Sequence, residues 1–386
     1  MLAPAITKEE ELHWLALALI PGLGRRKAGE LITRFRSPQA IFRASRSELE
    51  SSGLAGSVAQ TIASGCTFDD AVDQQLKRLE MGAVLVPLSD PAYPARLREI
   101  FDPPIVLFAR GRVELLQAIL LGVVGTRRPT AYGTAAAQRL AADLAQAGVA
   151  IASGMARGID TAAHRAALDV GGDTVAVFGC GVDLIYPAEN RKLSAEIAEK
   201  GLIISEFAMG SPAYPQNFPI RNRIISGISV GILVVEGAQY SGSAITAKMA
   251  IDQQREVFAV PGNITSKMSW GPNLLIKDGA KLVQEWNDVL VELPTEIRRA
   301  LIGKAQARLG VNSSELNGEQ PTLPPELGSV SRAILNKLRP DIPTQIDQLL
   351  ESSDTLTASE ITAALFELEV LGLARQLPGR NFVKVW

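Results

Sequence analysis

The chain has 386 residues, too many for one ordinary core, so two or three domains are expected. With 47% hydrophobic and 21% charged residues it has the composition of a folded globular protein, which excludes disorder as a whole. A net charge of -2 excludes a uniformly basic nucleic-acid coat but leaves room for a local basic patch.

Cys66 and Cys180 are too few for a disulfide scaffold, and with only His13 and His164 a four-ligand zinc site is out of reach. No metal and no cofactor is expected. The opening MLAPAITKEEELHWL places charges where a secretory signal carries its apolar stretch. No apolar run approaches the roughly 18 residues of a membrane span. The expectation is a soluble, cytoplasmic protein with no membrane partner.

Residues 1–85 read as a helical domain with short glycine-containing turns. Leu12, Leu15 and Leu19 share one helical face; Pro21-Gly22-Leu23-Gly24 follows, and Ala28, Leu31, Ile32 and Phe35 line the next helix. This pattern resembles a helix-hairpin-helix, whose backbone N–H groups meet a DNA phosphate without reading sequence. From Pro21 to Arg46 there are seven basic residues against the single acid Glu30. Gly22, Gly24, Arg25 and Arg26 are the candidate backbone contacts. A degenerate second copy stands at Gly53-Leu54-Ala55-Gly56. Paired hairpins equally serve to build a compact helical domain, so both readings stand.

Residues 86–295 alternate short apolar runs with amphipathic stretches. Strands are predicted at 118–124, 149–152, 174–178, 202–204, 231–235 and 256–260, with helices between them, for example 132–147 and 243–253. Near-continuous apolar strands joined by helices imply a doubly wound parallel α/β sheet. Ligands of such a sheet bind beyond the carboxyl ends of its strands.

Those ends carry the unusual residues. Gly125-Thr126-Arg127-Arg128 leads into a helix, where free N–H groups and two guanidinium forks suit a phosphate. An ordinary turn with surface arginines is the plainer alternative. Next come Gly154 and Arg157, with Asp160 either a helix cap or a functional acid, and His164 read as packed rather than catalytic. Gly179 and Gly181 follow the third strand. Phe218 stands beside Arg221, Asn222 and Arg223, an aromatic and two cations suited to a single strand. Ser241, Gly242 and Ser243 open a further helix, and Asn263 follows the last strand. No dinucleotide fingerprint, P-loop, nucleophile–base pair or carboxylate dyad appears at recognisable spacing.

Residues 296–325 have linker composition, most plainly near 310–325. Residues 326–386 suggest a winged helix: a helix at 345–351, a recognition-type helix at 359–371, and a wing over 374–385 turning at Pro378-Gly379. The second helix carries Glu360, Glu367 and Glu369 and no Lys or Arg, so a protein-contact or regulatory role is favoured over groove binding.

Together the motifs at 124–133 (VGTRRPTAYG), 153–164 (SGMARGIDTAAH), 178–190 (FGCGVDLIYPAEN), 218–227 (FPIRNRIISG) and 236–263 resemble the DNA processing protein A (DprA/Smf) family over nearly the whole chain. The resemblance implies an extended Rossmann-like domain flanked by a helix-hairpin-helix (SAM-like) domain and a winged-helix-like domain. It implies a non-enzymatic protein that binds single-stranded DNA, protects it, and helps load RecA recombinase during natural transformation, as a homodimer through the Rossmann-like domain. By motif, Arg127 is a main phosphate contact, with Phe218, Arg221 and Arg223 along the DNA path. The Gly125, Gly154, Gly179 and 241–243 loops form its floor. Some members carry a lysine after the Tyr-Pro of the third motif, where this chain has Ala188 with Arg191 and Lys192 nearby.

The rival is an enzyme. Nucleotide phosphoribohydrolases of similar fold carry P-G-G-x-G-T-x-x-E with a catalytic glutamate. Here residues 240–246 lack the double glycine and place Thr246 at that acid, a poor general base.

Overall fold

The computed structural model describes residues 7–308, 329–339, 344–351, 356–370, 373–377 and 381–384. They fall into two compact units that divide after Leu309, each described by itself.

Six helices open the first unit: α1 (Lys8–Ala18), α2 (Arg25–Phe35), α3 (Pro38–Arg43), α4 (Arg46–Ser51), α5 (Gly56–Ser64) and α6 (Phe68–Met81). Thr7 with Glu10 and Ser45 with Glu48 form capping boxes ahead of α1 and α4. Ser37 caps α3, with Pro38 at the first helical position. Leu15, Ala28 and Leu31 are buried as their stripes predict, and Leu12, Leu19, Ile32 and Phe35 pack at the margin. The two hairpins share a backbone. Gly22 and Gly53 have φ of 76° and 80°, and Gly24 and Ala55 stand extended as N-caps of α2 and α5. Ala55 is tolerated because its position needs no positive φ.

Nine strands make one sheet: β1 (Val84–Pro87), β2 (Val106–Gly111), β3 (Leu120–Val124), β4 (Ala150–Ser153), β5 (Thr174–Val177), β6 (Leu202–Ser205), β7 (Gly231–Val234), β8 (Glu256–Ala259) and β9 (Lys281–Leu282). Their order is β1-β2-β6-β5-β4-β3-β7-β8-β9. All six predicted strands are present, and β3 to β7 are buried throughout, as a sheet covered on both faces requires. The sheet is nevertheless mixed. β1 pairs antiparallel with β2, and β2 antiparallel with β6, both outside the predicted set.

The helices of this part are α7 (Ala95–Arg98), α8 (Ala131–Gln146), α9 (Ile159–Asp169), α10 (Arg191–Lys200), α11 (Asn217–Ile228), α12 (Gly242–Asp252), α13 (Trp270–Lys277), α14 (Trp286–Leu290) and α15 (Thr295–Arg308). The order reverses between β3 and β7, the switch point where a doubly wound sheet opens a crevice. The expected linker at 296–325 is corrected at its start: residues 296–308 lie in α15, whose Leu301 is buried in the core with Ala137 and Leu140 of α8. Residues 309–325 lie outside the described set. No helix among the described residues is long and apolar enough to cross a membrane.

The second unit holds α16 (Ser329–Lys337), β10 (Thr344–Gln345), α17 (Ile346–Glu351), α18 (Ala358–Val370), β11 (Ala374–Leu377) and β12 (Asn381–Lys384). Its antiparallel sheet runs β10-β12-β11. Ile334, Leu349, Ile361, Leu365 and Phe382 form its core. This is the predicted winged helix; the turn expected at Pro378-Gly379 lies outside the described residues. Glu360 accepts from Thr357 N at 2.8 Å, so one acid of the recognition-type helix caps its start.

Candidate nucleic-acid interface

At the switch point the end of β3, the loop after it, α11 and the start of α12 line a cleft of about 440 Å³. Gly125, Thr126, Arg127, Phe218, Arg221, Asn222, Ser241, Gly242 and Ser243 all line it, so nine residues put forward from sequence converge in one place. Arg127 is exposed, and its guanidinium carbon lies 5.4 Å from the centre of the half-buried Phe218 ring. Arg221 approaches the same ring at 5.9 Å. Tyr186 lies 5.3 Å from it, tilted by 37°. The cleft therefore offers two cations and two rings together.

Arg221 is 3% exposed. Its Nη1 donates to Gly154 O at 2.6 Å and to Val177 O, and its Nε to Asn222 Oδ1 at 3.2 Å. Nη2 has no hydrogen-bond acceptor among the described residues. Burial draws its pKa down to about 10 while Asp160 opposes the change, so the guanidinium stays charged at neutral pH. Gly154 is required by this packing, because a Cβ there would run into the guanidinium.

Two anion seats that the sequence offered are already filled by carboxylates of the chain. At the start of α8, Thr130 N donates to Glu236 Oε2 at 2.9 Å and Thr130 Oγ1 to Oε1 at 2.6 Å. After β4, Gly154 N and Ala156 N both donate to Asp160 Oδ2, at 3.1 and 3.3 Å. The start of α12 faces the cleft instead, with Ser241 as N-cap and its Oγ 2.7 Å from Ser243 Oγ. Thr246, the residue at the rival enzyme's catalytic position, also lines the cleft and donates to Gly242 O at 3.1 Å.

The other sequence candidates lie outside this lining. Arg128 is exposed on the same loop as Arg127. Arg157 pairs at the surface with Glu189. Gly179 lies beneath Phe218, 3.0 Å separating a Cβ built there from the ring. Gly181 N donates to Ser211 O at 2.9 Å, tying its loop inward. Asn263 is exposed and closes a local turn with Thr265.

Arg223 is buried on another side of α11, 3.0 Å from Asp102 and 2.7 Å from Glu206. Arg25 meets Glu206 at 2.8 Å, and Arg26 lies over the Phe101 ring at 4.6 Å. Gly22 and Gly24 stay in the hairpin turn. Tyr186, not singled out from sequence, and Asp160, left open there between a helix cap and a functional acid, also line the cleft. The Tyr-Pro motif was the available signal for the first, and the helix-start position of the second masked it.

This is a Rossmann-like α/β sheet whose switch point presents cations, rings and an open helix N-terminus, the groups that suit an anion. A family model described as DNA recombination-mediator protein A matches residues 84–294, and one described as DprA winged helix domain matches 318–380. "Protein Smf" of Synechocystis sp. is 34% identical over 98% of this chain and 99% of its own. The structure of DNA processing protein A from Streptococcus pneumoniae covers 75% of this chain and 99% of its own at 33% identity, with a TM-score of 0.65. That of DNA processing protein A from Helicobacter pylori, which concerns its single-stranded DNA binding mode, covers 57% and 96% at 30% identity and a TM-score of 0.50. The chain belongs to the DprA/Smf family.

Proposed function

We propose that this chain is a DNA-processing protein that binds single-stranded DNA without sequence preference along the switch-point cleft. The observation that carries the reading is the grouping of Arg127, Phe218 and Arg221 around one opening, beside the start of α12. A base has a ring to stack on, and the flanking phosphates have two guanidinium groups and the helix N–H groups. The Helicobacter pylori relative, a protein studied for binding single-stranded DNA, supports this. The family's description as a recombination mediator supports a binder rather than a catalyst. The protein then protects incoming DNA in the cytoplasm during natural transformation, pairs with a second copy through the Rossmann-like domain, and helps load RecA recombinase.

The test is a titration of labelled single- and double-stranded oligonucleotides at several salt concentrations. Single-strand preference with a steep salt dependence is expected. Equal binding of both forms, or none, would overturn the reading. RecA assembly on the coated strand, with and without the protein, tests the loading step. Light scattering at rising concentration tests the dimer.

A further inference from the structure

Asp160 is 6% exposed and is the one acid among the described side chains lining the cleft. Met155, with φ of 59°, turns the backbone so that the N–H groups on either side of it point at one oxygen of this carboxylate. Such a nest binds anions, and here its occupant belongs to the chain. Arg221 faces it from α11, held by the carbonyls of Gly154 and Val177.

We propose that Asp160 is the resident counter-ion of the cleft, and that a phosphate of the bound strand takes over its charge-balancing role toward Arg221 while Asp160 stays in its nest, so that binding takes up one proton onto this carboxylate. The inference rests on the reading of the cleft given above. A phosphate and a carboxylate near one buried guanidinium repel each other strongly where water is scarce. The carboxylate relieves this by taking a proton from solvent. Oδ2 still accepts Gly154 N and Ala156 N, and the proton resides on Oδ1.

Burial already pushes Asp160 up to about 6, against the pull of Arg221 and the two N–H groups. The groups around it do not titrate in its place. His164, one turn further along α9, is pushed by burial down to about 3. Cys180, after β5, is pushed by burial up to about 11. Arg221 stays charged, and Arg157 pairs with Glu189 at the surface.

The experiment measures affinity for an oligothymidylate without terminal phosphates from pH 5.5 to 8, for the native protein and Asp160→Asn. The native affinity should fall as pH rises above about 6, by up to about tenfold per unit. The variant should be flat and bind several-fold tighter than the native protein at pH 8, which a purely structural role would not produce. Calorimetry of the native protein at pH 7 in HEPES and in Tris should show a binding enthalpy that depends on the buffer. This holds the proposal to account even where the variant fails to fold. An equal pH slope in both proteins, or an enthalpy independent of buffer, overturns the proposal alone. No binding by the native protein at any pH overturns the reading of the cleft as well.

Discussion

Arg223 donates Nη2 to the Glu206 carboxylate at 2.7 Å, and both side chains are 6% exposed. The same oxygen accepts Arg25 Nε at 2.8 Å from the N-terminal hairpin. Glu206 thus holds α2 against α11, and two arginines suited by sequence to a phosphate meet on an internal carboxylate. A nucleic acid would have to break this contact to use either of them.

Glu206→Gln leaves a buried guanidinium without its full charge partner. The variant should lose about 3 kcal/mol of stability in urea denaturation. Arg25→Ala removes a pair exposed at one end and should cost about 1 kcal/mol or less. Single-strand affinity of the folded variants should stay within about twofold of the native value, because neither residue lines the cleft. A large loss of affinity by folded Arg25→Ala would show that the hairpin contacts DNA directly.

Arg127→Ala removes an exposed cation and no buried contact. Melting temperature should not change, while single-strand affinity falls about tenfold or more and the salt slope shrinks by about one. Anisotropy titrations at four salt concentrations measure both quantities.

Gly154→Ala places a methyl group against the Arg221 guanidinium. Overpacking of this kind should cost about 1–3 kcal/mol, and the displaced arginine should weaken DNA binding in parallel. Gly29→Ala is the control. It lies within α2 with open space at its Cβ and should be neutral or stabilising by up to about 1 kcal/mol. Chemical denaturation and anisotropy on both variants separate the two effects.

Asp160 also bears on stability. Its folded pKa of about 6 stands above the ordinary 3.8, so the folded state binds the proton more tightly than the unfolded chain. The stability contributed is fully present below about pH 4 and is lost as pH rises through 6. Asp160→Asn should therefore gain up to about 3 kcal/mol over the native protein at pH 7, relative to their difference at pH 3. Melting curves across that range provide the check.

The buried strands were legible because each is a short, almost wholly apolar run. β1 and β2 were not. β1 ends in Pro87 and β2 in Arg110-Gly111, and both join the sheet antiparallel, a pairing that a βα alternation does not announce. The cleft loops were legible from their glycines and hydroxyls. The roles of the arginines were harder to read. Arg221 and Arg223 are two residues apart, a spacing that puts them on different sides of a helix. One lines the cleft and the other packs toward the N-terminal hairpin, and the string of letters shows them as a pair. Asp160 was obscured by a position at which an acid ordinarily caps a helix.

The antiparallel partnership of β2 with β6 also bears on how the chain is made. Gly111 pairs with Leu202, so β2 waits for roughly 90 further residues before its neighbour exists. At about 5–20 residues per second, that interval lasts several seconds or more during synthesis. Throughout it, neither edge of the β1–β2 ribbon has a strand to pair with, and a two-stranded ribbon is barely stable alone. The N-terminal helices are already made by then and offer an apolar surface. The packing of Ala83, Leu85, Val106 and Phe108 into the same core as Trp14 and Leu15 gives the ribbon a place to rest until β6 arrives.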